Sequence, residues 1–510
     1  MARQAAARGS GGSGGGSGTG ARFTTGSTMR HVTVMTGTGA VGLMALFLVD
    51  AVNLFYISLL GQEELAAAIG FAGTFQFFMV SISIGLSIAA AAVVSRSIGA
   101  GDRDGARCKA GTALLLLVSA LALVTALAIS LRYEALALLG ATGQTQELAA
   151  RFLTIVLPGV PFLGIGMVCG GLLRSVGDAR RSMNVTLAGG AFAAVLDPIL
   201  IFGLGLGLDG AAIATLMTRF AIAGLGLHFA MRVHDLVGPP RASAIVGDMR
   251  ALAAIAAPAV ATQLSTPFGN AYLTRVVAEH GDEAVAGWAV VGRLSAVAFG
   301  GIFALSAAIG PILGQNLGAN LPDRIRSAYR DALIFAAVYV LVVWAVLWLA
   351  TDAILEGFSV AGPGIEVVRA FTAYGAGAWL FSGWLFVSNA AFNNLGHPIW
   401  STGFNWSRDA VAIPLLAALT GAGMLAFGPA SAVMVQAMAA LLVGVAAVVA
   451  AGRFVSRGLA PPAPGTPPVA PMPALSPFGS GRAALAQHAQ ERSPDAPHPD
   501  ASREDPLPRS

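Results

Sequence analysis

The chain has 510 residues, 55% hydrophobic and 11% charged, less than half the roughly 25% charged fraction of an ordinary soluble domain. Long apolar runs recur throughout, so we read a polytopic α-helical membrane protein, helices being the open-chain solution that satisfies every backbone group in lipid. The net charge of +4 is spread through short loops and excludes a nucleic-acid footprint, and two cysteines, Cys108 in an expected loop and Cys169 in an expected helix, suggest neither a disulfide nor a metal motif.

Residues 1–30 read as a disordered Gly/Ser-rich tail, with no cleavable signal peptide expected because the first apolar segment is too long. Apolar segments then fall near 33–60, 65–95, 110–131, 151–172, 183–206, 211–231, 251–278, 285–313, 331–351, 369–392, 402–420 and 429–451. That predicts twelve transmembrane helices, six in each of two bundles, 31–235 and 236–454. Residues 455–510, rich in Pro and Ala, read as a second disordered tail.

The first segment carries Asp50, with Asn53 one turn later on the same face. An ionised Asp at bilayer depth costs about 2.5–3.5 kcal/mol. It therefore marks either a proton or cation site on a transport pathway or a packing Asp bonded to a neighbouring helix.

Positive charges gather on alternate loops: Arg96, Arg103, Arg107 and Lys109; Arg174, Arg180 and Arg181; Arg232, Arg241 and Arg250; Arg324, Arg326 and Arg330. The positive-inside rule places these loops and both tails in the cytoplasm of a cell inner membrane. A shift of 219 residues also aligns the halves. Glu63-Glu64 falls on Asp282-Glu283, Gly73 on Gly292, Asp104 on Asp323, Arg107 on Arg326 and Gly177 on Gly396. Six helices followed by six in the same orientation form a parallel repeat, pseudo-symmetric about an axis along the membrane normal, and such halves enclose a cavity and rock for alternating access.

Residues 174–215 hold Arg174, Gly177, Asp178 and Met183, then Leu196-Asp197-Pro198, Ile201-Phe202-Gly203, Gly210-Ala211-Ala212 and Ala214-Thr215. This spaced set resembles the multidrug and toxic compound extrusion (MATE) family, as does GQEELAAAIGFAG at 61–73. The resemblance covers about 30–455. It implies a monomeric secondary transporter, not an enzyme, that exports cationic, amphipathic small molecules in exchange for protons or sodium ions, with no cofactor beyond the coupling ion. By the same resemblance Asp197 is the family's fifth-helix aspartate and Thr215 its sixth-helix threonine. The family's first-helix aspartate lands on Asn53, and Asp50 is the nearest carboxylate. Helices seven and ten lack the interior acids of a C-terminal sodium site.

Read without the family, Asp50 and Asp197 face the interior, and burial beside a like charge raises a carboxyl into a range where it can carry a proton. Aromatic residues can add cation–π contact. Candidate cargo contacts are Phe75 and Phe78 (with Phe77), Tyr272, Gln263, Asn389 and Trp384 (with Trp379, Asn270 and Asn393). Each has packing as its alternative. Arg408 and Asp409 read as a structural pair; Arg219 and Arg293 stay open. The alternatives in function are a flippase for a lipid-linked saccharide, an exporter of one metabolite, a channel, and a membrane transferase, which lacks the clustered acids or metal ligands it would need.

Overall fold

The computed structural model describes residues 21–58, 63–138, 140–424 and 427–457, with the side chains of 46–55, 57–58, 63–67 and 457 outside the description. Twelve helical segments succeed one another: α1 (Thr28–Ser58), α2 (Glu63–Gly99), α3 (Arg103–Ser130), α4 (Gly143–Ser175), α5 (Ala179–Gly203), α6 (Gly207–Val233), α7 (Ile245–Ala278), α8 (Asp282–Ala298 and Gly300–Gly318), α9 (Pro322–Leu349), α10 (Pro363–Leu395), α11 (Pro398–Trp406 to Ile413–Gly421) and α12 (Ser431–Arg457). Among the described residues ten helices are long and apolar enough to cross a membrane. The predicted twelve segments in two six-helix bundles are the observed architecture. Cys108, expected in a loop, lies inside α3, buried, with its Sγ accepting from the Arg241 backbone N–H.

The duplication is visible in the backbone. Left-handed positions recur at the same shift: Gly101 with Asn320, Gly140 with Ser359, Gly143 with Gly362, and Gly177 with Gly396, all at φ between +49° and +95°. Where these turns tighten, all four first-half positions and two of the second-half positions carry glycine in its permitted region.

The two halves meet through α1, α2, α7 and α8: α1 packs on α8 and α2 packs on both α7 and α8. The contact is two-fold. Ser95 lies against its own repeat mate, Gly314, where a Cβ would sit 2.0 Å from the Ser95 hydroxyl. A Cβ on Gly99 would meet the Gln315 carbonyl at 2.0 Å, and one on the mate Gly318 would meet the Arg96 carbonyl at 2.0 Å. Arg96 donates to the carbonyls of Asn393 (3.1 Å) and Asn394 at the end of α10, while its mate Gln315 donates at 2.6 Å to the carbonyl of Ser175 at the end of α4. Each donor satisfies carbonyls that a helix C-terminus leaves without an intrahelical partner.

These contacts hold one end of the interface shut. Residues 81–98 of α2 and 308–316 of α8 have no exposed member, whereas Gly70, Gly73, Thr74, Phe77 and Phe78, at the other end of α2, are exposed. The two halves are therefore closed at the Arg-rich end and parted at the opposite end.

The disorder expected for residues 1–30 does not hold for residues 21–30, and residues 1–20 lie outside the described residues. Phe23 is 1% exposed inside the turn Arg22–Thr24. Its N–H donates to the Gln315 side chain (2.8 Å), and Arg324 donates to the carbonyls of Phe23 (2.7 Å) and Gly26 (2.9 Å). Arg22 donates to the Gly177 carbonyl in the other half (3.1 Å). One aromatic among glycines and serines carries no periodic signal, so composition misses this strap. Arg96, Arg174 and Arg324, counted above as loop charges, are all engaged in such bonds, Arg174 with the Ser182 hydroxyl.

Candidate functional site

Asp197 is 2% exposed at the point where α5 changes register. Pro198 has no N–H to continue the ladder. The Ile199 N–H turns back to the Leu196 carbonyl, and the Leu204 N–H reaches the Ile199 carbonyl across a π turn, Ile199–Gly203. Such turns frequently mark functional positions. Phe202 in this turn meets Tyr56 of α1 edge to face at 5.9 Å, which ties α5 to α1. Thr215 sits on α6, packed against α5, and its hydroxyl donates to the Ala211 carbonyl of its own helix at 2.9 Å. Positions 50 and 53 fall on α1, but the side chains of Asp50 and Asn53 lie outside the described residues.

Arg219, one turn beyond Thr215, is 6% exposed. It donates to the Val156 carbonyl (2.8 Å) and to the Gln76 side chain. Val156 stands where α4 passes into the tight turn Leu157–Gly159, whose following Val160 N–H bonds to Leu157 instead, so Arg219 caps a carbonyl that the helix has released. No carboxylate is ion-paired with Arg219 among the described residues.

The second bundle handles charge differently. Arg408 and Asp409 bind each other twice, Nε to Oδ1 at 2.7 Å and Nη2 to Oδ2 at 3.0 Å. Both lie in the π turn Ser407–Ala412. Beside them Asn405 donates to Asn389 at 3.1 Å. Thr402 donates to the Pro258 carbonyl and Trp406 to the Ala261 carbonyl, fastening α11 to α7.

The expected cargo contacts separate into two sets. Phe77 and Phe78 are exposed on α2, and Gln263 is half-buried on α7, on one face with the exposed Thr266, Asn270 and Thr274. Phase along the helix puts these four at i, i+3, i+7 and i+11, a polar stripe. By contrast, Phe75 and Tyr272 pack against the cores of their bundles. Asn389 is buried, and Trp384 directs its N–H to the Leu333 carbonyl of α9 at 3.2 Å. Trp379 stacks on Phe299 at 4.6 Å.

At the Arg-rich end, Asp178 caps α5 by accepting from the Arg181 N–H (3.0 Å) and also binds the Arg181 guanidinium and the His234 imidazole (2.8 Å). Burial alone would raise its carboxyl, but the Arg181 N–H and guanidinium and the His234 ring together hold it below the usual carboxylate range. At the matching place in the repeat, burial pushes the His397 imidazole down.

The family model MatE matches residues 40–199 and again 258–418, the same repeat found twice. A FAD transporter of Shewanella oneidensis is 32% identical over 281 residues, 54% of this chain and 62% of that protein. The multidrug export protein MepA of Staphylococcus aureus is 24% identical over 258 residues, 50% of this chain and 57% of that protein. The matches thus span less than two thirds of these relatives. A solved structure of the Vibrio cholerae MATE transporter VcmN superposes with a TM-score of 0.78 at 25% identity, covering 85% of this chain and 98% of that one. Two matches to the family model, a twelve-helix duplicated fold and the shared architecture of VcmN place this chain in the MatE family of membrane transporters.

Proposed function

We propose that this chain is a secondary active exporter in which the two bundles rock about the Ser95–Gly314 contact, exposing the cleft alternately at each end. The observation that carries the reading is the interface itself: sealed by two-fold contacts at one end and parted at the other, where α2 presents aromatic residues and α7 a polar stripe. Polar and aromatic faces on inner helices suit a water-filled path rather than lipid.

Coupling is assigned to Asp197 with Thr215, and to Asp50 or Asn53 on α1, with H+ or Na+ as the ion. The break in the helix ladder at Pro198 gives α5 a hinge beside the acid, so that neutralising Asp197 can change the bend of the helix. The Arg-rich loops and both tails are assigned to the cytoplasm of a bacterial inner membrane, and the transporter to a monomer.

For the cargo, the family's usual cationic amphipath is one reading. The Shewanella relative, named a FAD transporter, supports a second, an anionic aromatic metabolite, and the cationic Arg293 on α8 favours it. A lipid-linked saccharide would need a strongly basic cleft, and the mixed set of residues here supports that less. The test is uptake of ethidium and of flavins by proteoliposomes, driven by a pH gradient and, separately, by a sodium gradient. Gradient-driven uptake that vanishes in Asp197→Asn is the expected result; uptake that needs no gradient would replace the exporter with a channel.

A further inference from the structure

Arg293 lies eleven residues into α8 from Asp282, about 16 Å along the helix at about 1.5 Å per residue. That is near the middle of a bilayer. Its side chain is exposed, and it makes no hydrogen bond or ion pair with any described residue. Lipid is an unfavourable neighbour for a charge at that depth. Its exposed face is shared with Ala286, Ala289 and Gly292 and, one turn further along, with Val297, so one large apolar residue is exposed there, against Val338, Leu341, Val342 and Val346 on α9.

The two-fold axis gives the direction. Ser95 and Gly314 are repeat mates in contact at the closed end. Outward from there, α2 and α8 part, and the residues that emerge are again mates: Gly70 with Ala289, Gly73 with Gly292, and Thr74 with Arg293, all exposed. By this symmetry Arg293 holds on α8 the place that Thr74 holds on α2, and Phe77 and Phe78, each 41% exposed, stand one turn deeper on α2. The stripe of Gln263, Thr266, Asn270 and Thr274 on α7 runs beside it.

We propose that Arg293 is the anion-recognising residue of the cleft and that it binds the phosphate of a cargo whose planar ring lies on Phe77 and Phe78, the chemistry of a flavin or purine nucleotide. The proposal rests on the exporter reading given above. A guanidinium presents a planar fork of donors that matches two phosphate oxygens, and an aromatic ring stacks on phenylalanine in an offset geometry. The amides and hydroxyls of the α7 stripe supply partners for sugar hydroxyls and ring edges. Arg219 is not a second such residue, because its donors are engaged by Val156 and Gln76.

The test uses the full chain, wild type, Arg293→Gln and Arg293→Lys, with four probes: FAD, FMN, riboflavin, which has the ring without phosphate, and ethidium. Binding is measured in detergent and uptake in proteoliposomes. The expected result is that Arg293→Gln weakens FAD and FMN binding and uptake at least tenfold and leaves riboflavin and ethidium within twofold. Arg293→Lys falls between, keeping the charge without the fork. Retained ethidium uptake shows that the Gln variant is folded. Equal loss for all four probes would make Arg293 a part of the transport cycle and overturn the proposal. So would unchanged FAD and FMN, or tighter binding of a lipid diphosphate than of FAD. A wild type that moves none of the probes under either gradient would refute the exporter reading, while FAD binding that is lost in Arg293→Gln would still uphold the assignment of Arg293.

Discussion

The two bundles share a backbone and differ in what they bury. The turns at Gly101, Gly140, Gly143 and Gly177 reappear 219 residues later, and the donors Arg96 and Gln315 reach across the axis to equivalent carbonyls. The charges do not follow. Leu416 stands at the repeat position of Asp197, Met438 at that of Arg219, and Gly190 at that of Asp409. In the first half the acid sits at a break in its helix; in the second it is cancelled by the adjacent Arg408. Duplication preserved the residues that join the halves and released the charges that each half buries.

If that division of labour holds, the largest contrast comes from the acids. Asp197→Asn should bring gradient-driven uptake down to that of empty liposomes while the melting temperature stays within about 3 °C of wild type, because the amide keeps the size of the carboxyl and can still hydrogen-bond. Uptake that persists would move coupling to another group.

Arg408→Met breaks the contrast from the other side. It strands Asp409 in the bundle and should destabilise by about 3–5 kcal/mol, whereas Arg408→Met with Asp409→Leu should recover most of that. Thermal melting in detergent reads both; a double variant as unstable as the single would mean that the pair serves more than mutual neutralisation.

Gly99→Ala and Gly318→Ala test the shared backbone. Each added Cβ would lie 2.0 Å from a carbonyl oxygen of the other half, and overpacking of this kind costs about 1–3 kcal/mol. Both should loosen the closed end by similar amounts, measured as faster thiol labelling of a cysteine placed at Ala100. A large effect from one glycine only would break the two-fold description.

The smallest effect concerns pH. Asp178 is held below its usual range, so its contribution is complete above the unfolded carboxyl value of about 3.9 and is lost as pH falls through the lower folded value. Asp178→Asn should flatten the acid limb of the melting curve by about 1–2 °C, and an unchanged limb would remove Asp178 from the acid response.

Much of this was legible in the sequence. Apolar length gave twelve segments, and the one constant shift gave two parallel halves. The LDP motif pointed to Asp197. What escaped has physical reasons. Arg96 and Arg324 look like loop charges until the chain folds, since a helix carbonyl partner leaves no trace in composition. Trp384 and Tyr272 lie on helices with two plausible faces, and apolarity in a membrane does not distinguish core from cleft. Arg293 read as ambiguous because its meaning depends on the direction of the axis, which Ser95 and Gly314 supply only in three dimensions.

Alternating access about that axis is the central claim, and paired spin-label distances test it most directly. In a chain with Cys108 and Cys169 replaced by alanine, one pair of cysteines goes at Gly70 and Ala289 on the parted end, and another at Asp104 and Asp323 on the closed end; all four sites are exposed. Measured in proteoliposomes with and without cargo and an ion gradient, the first distance should shorten as the second lengthens, in opposite and linked steps. Two distances that stay fixed while uptake proceeds would contradict the account.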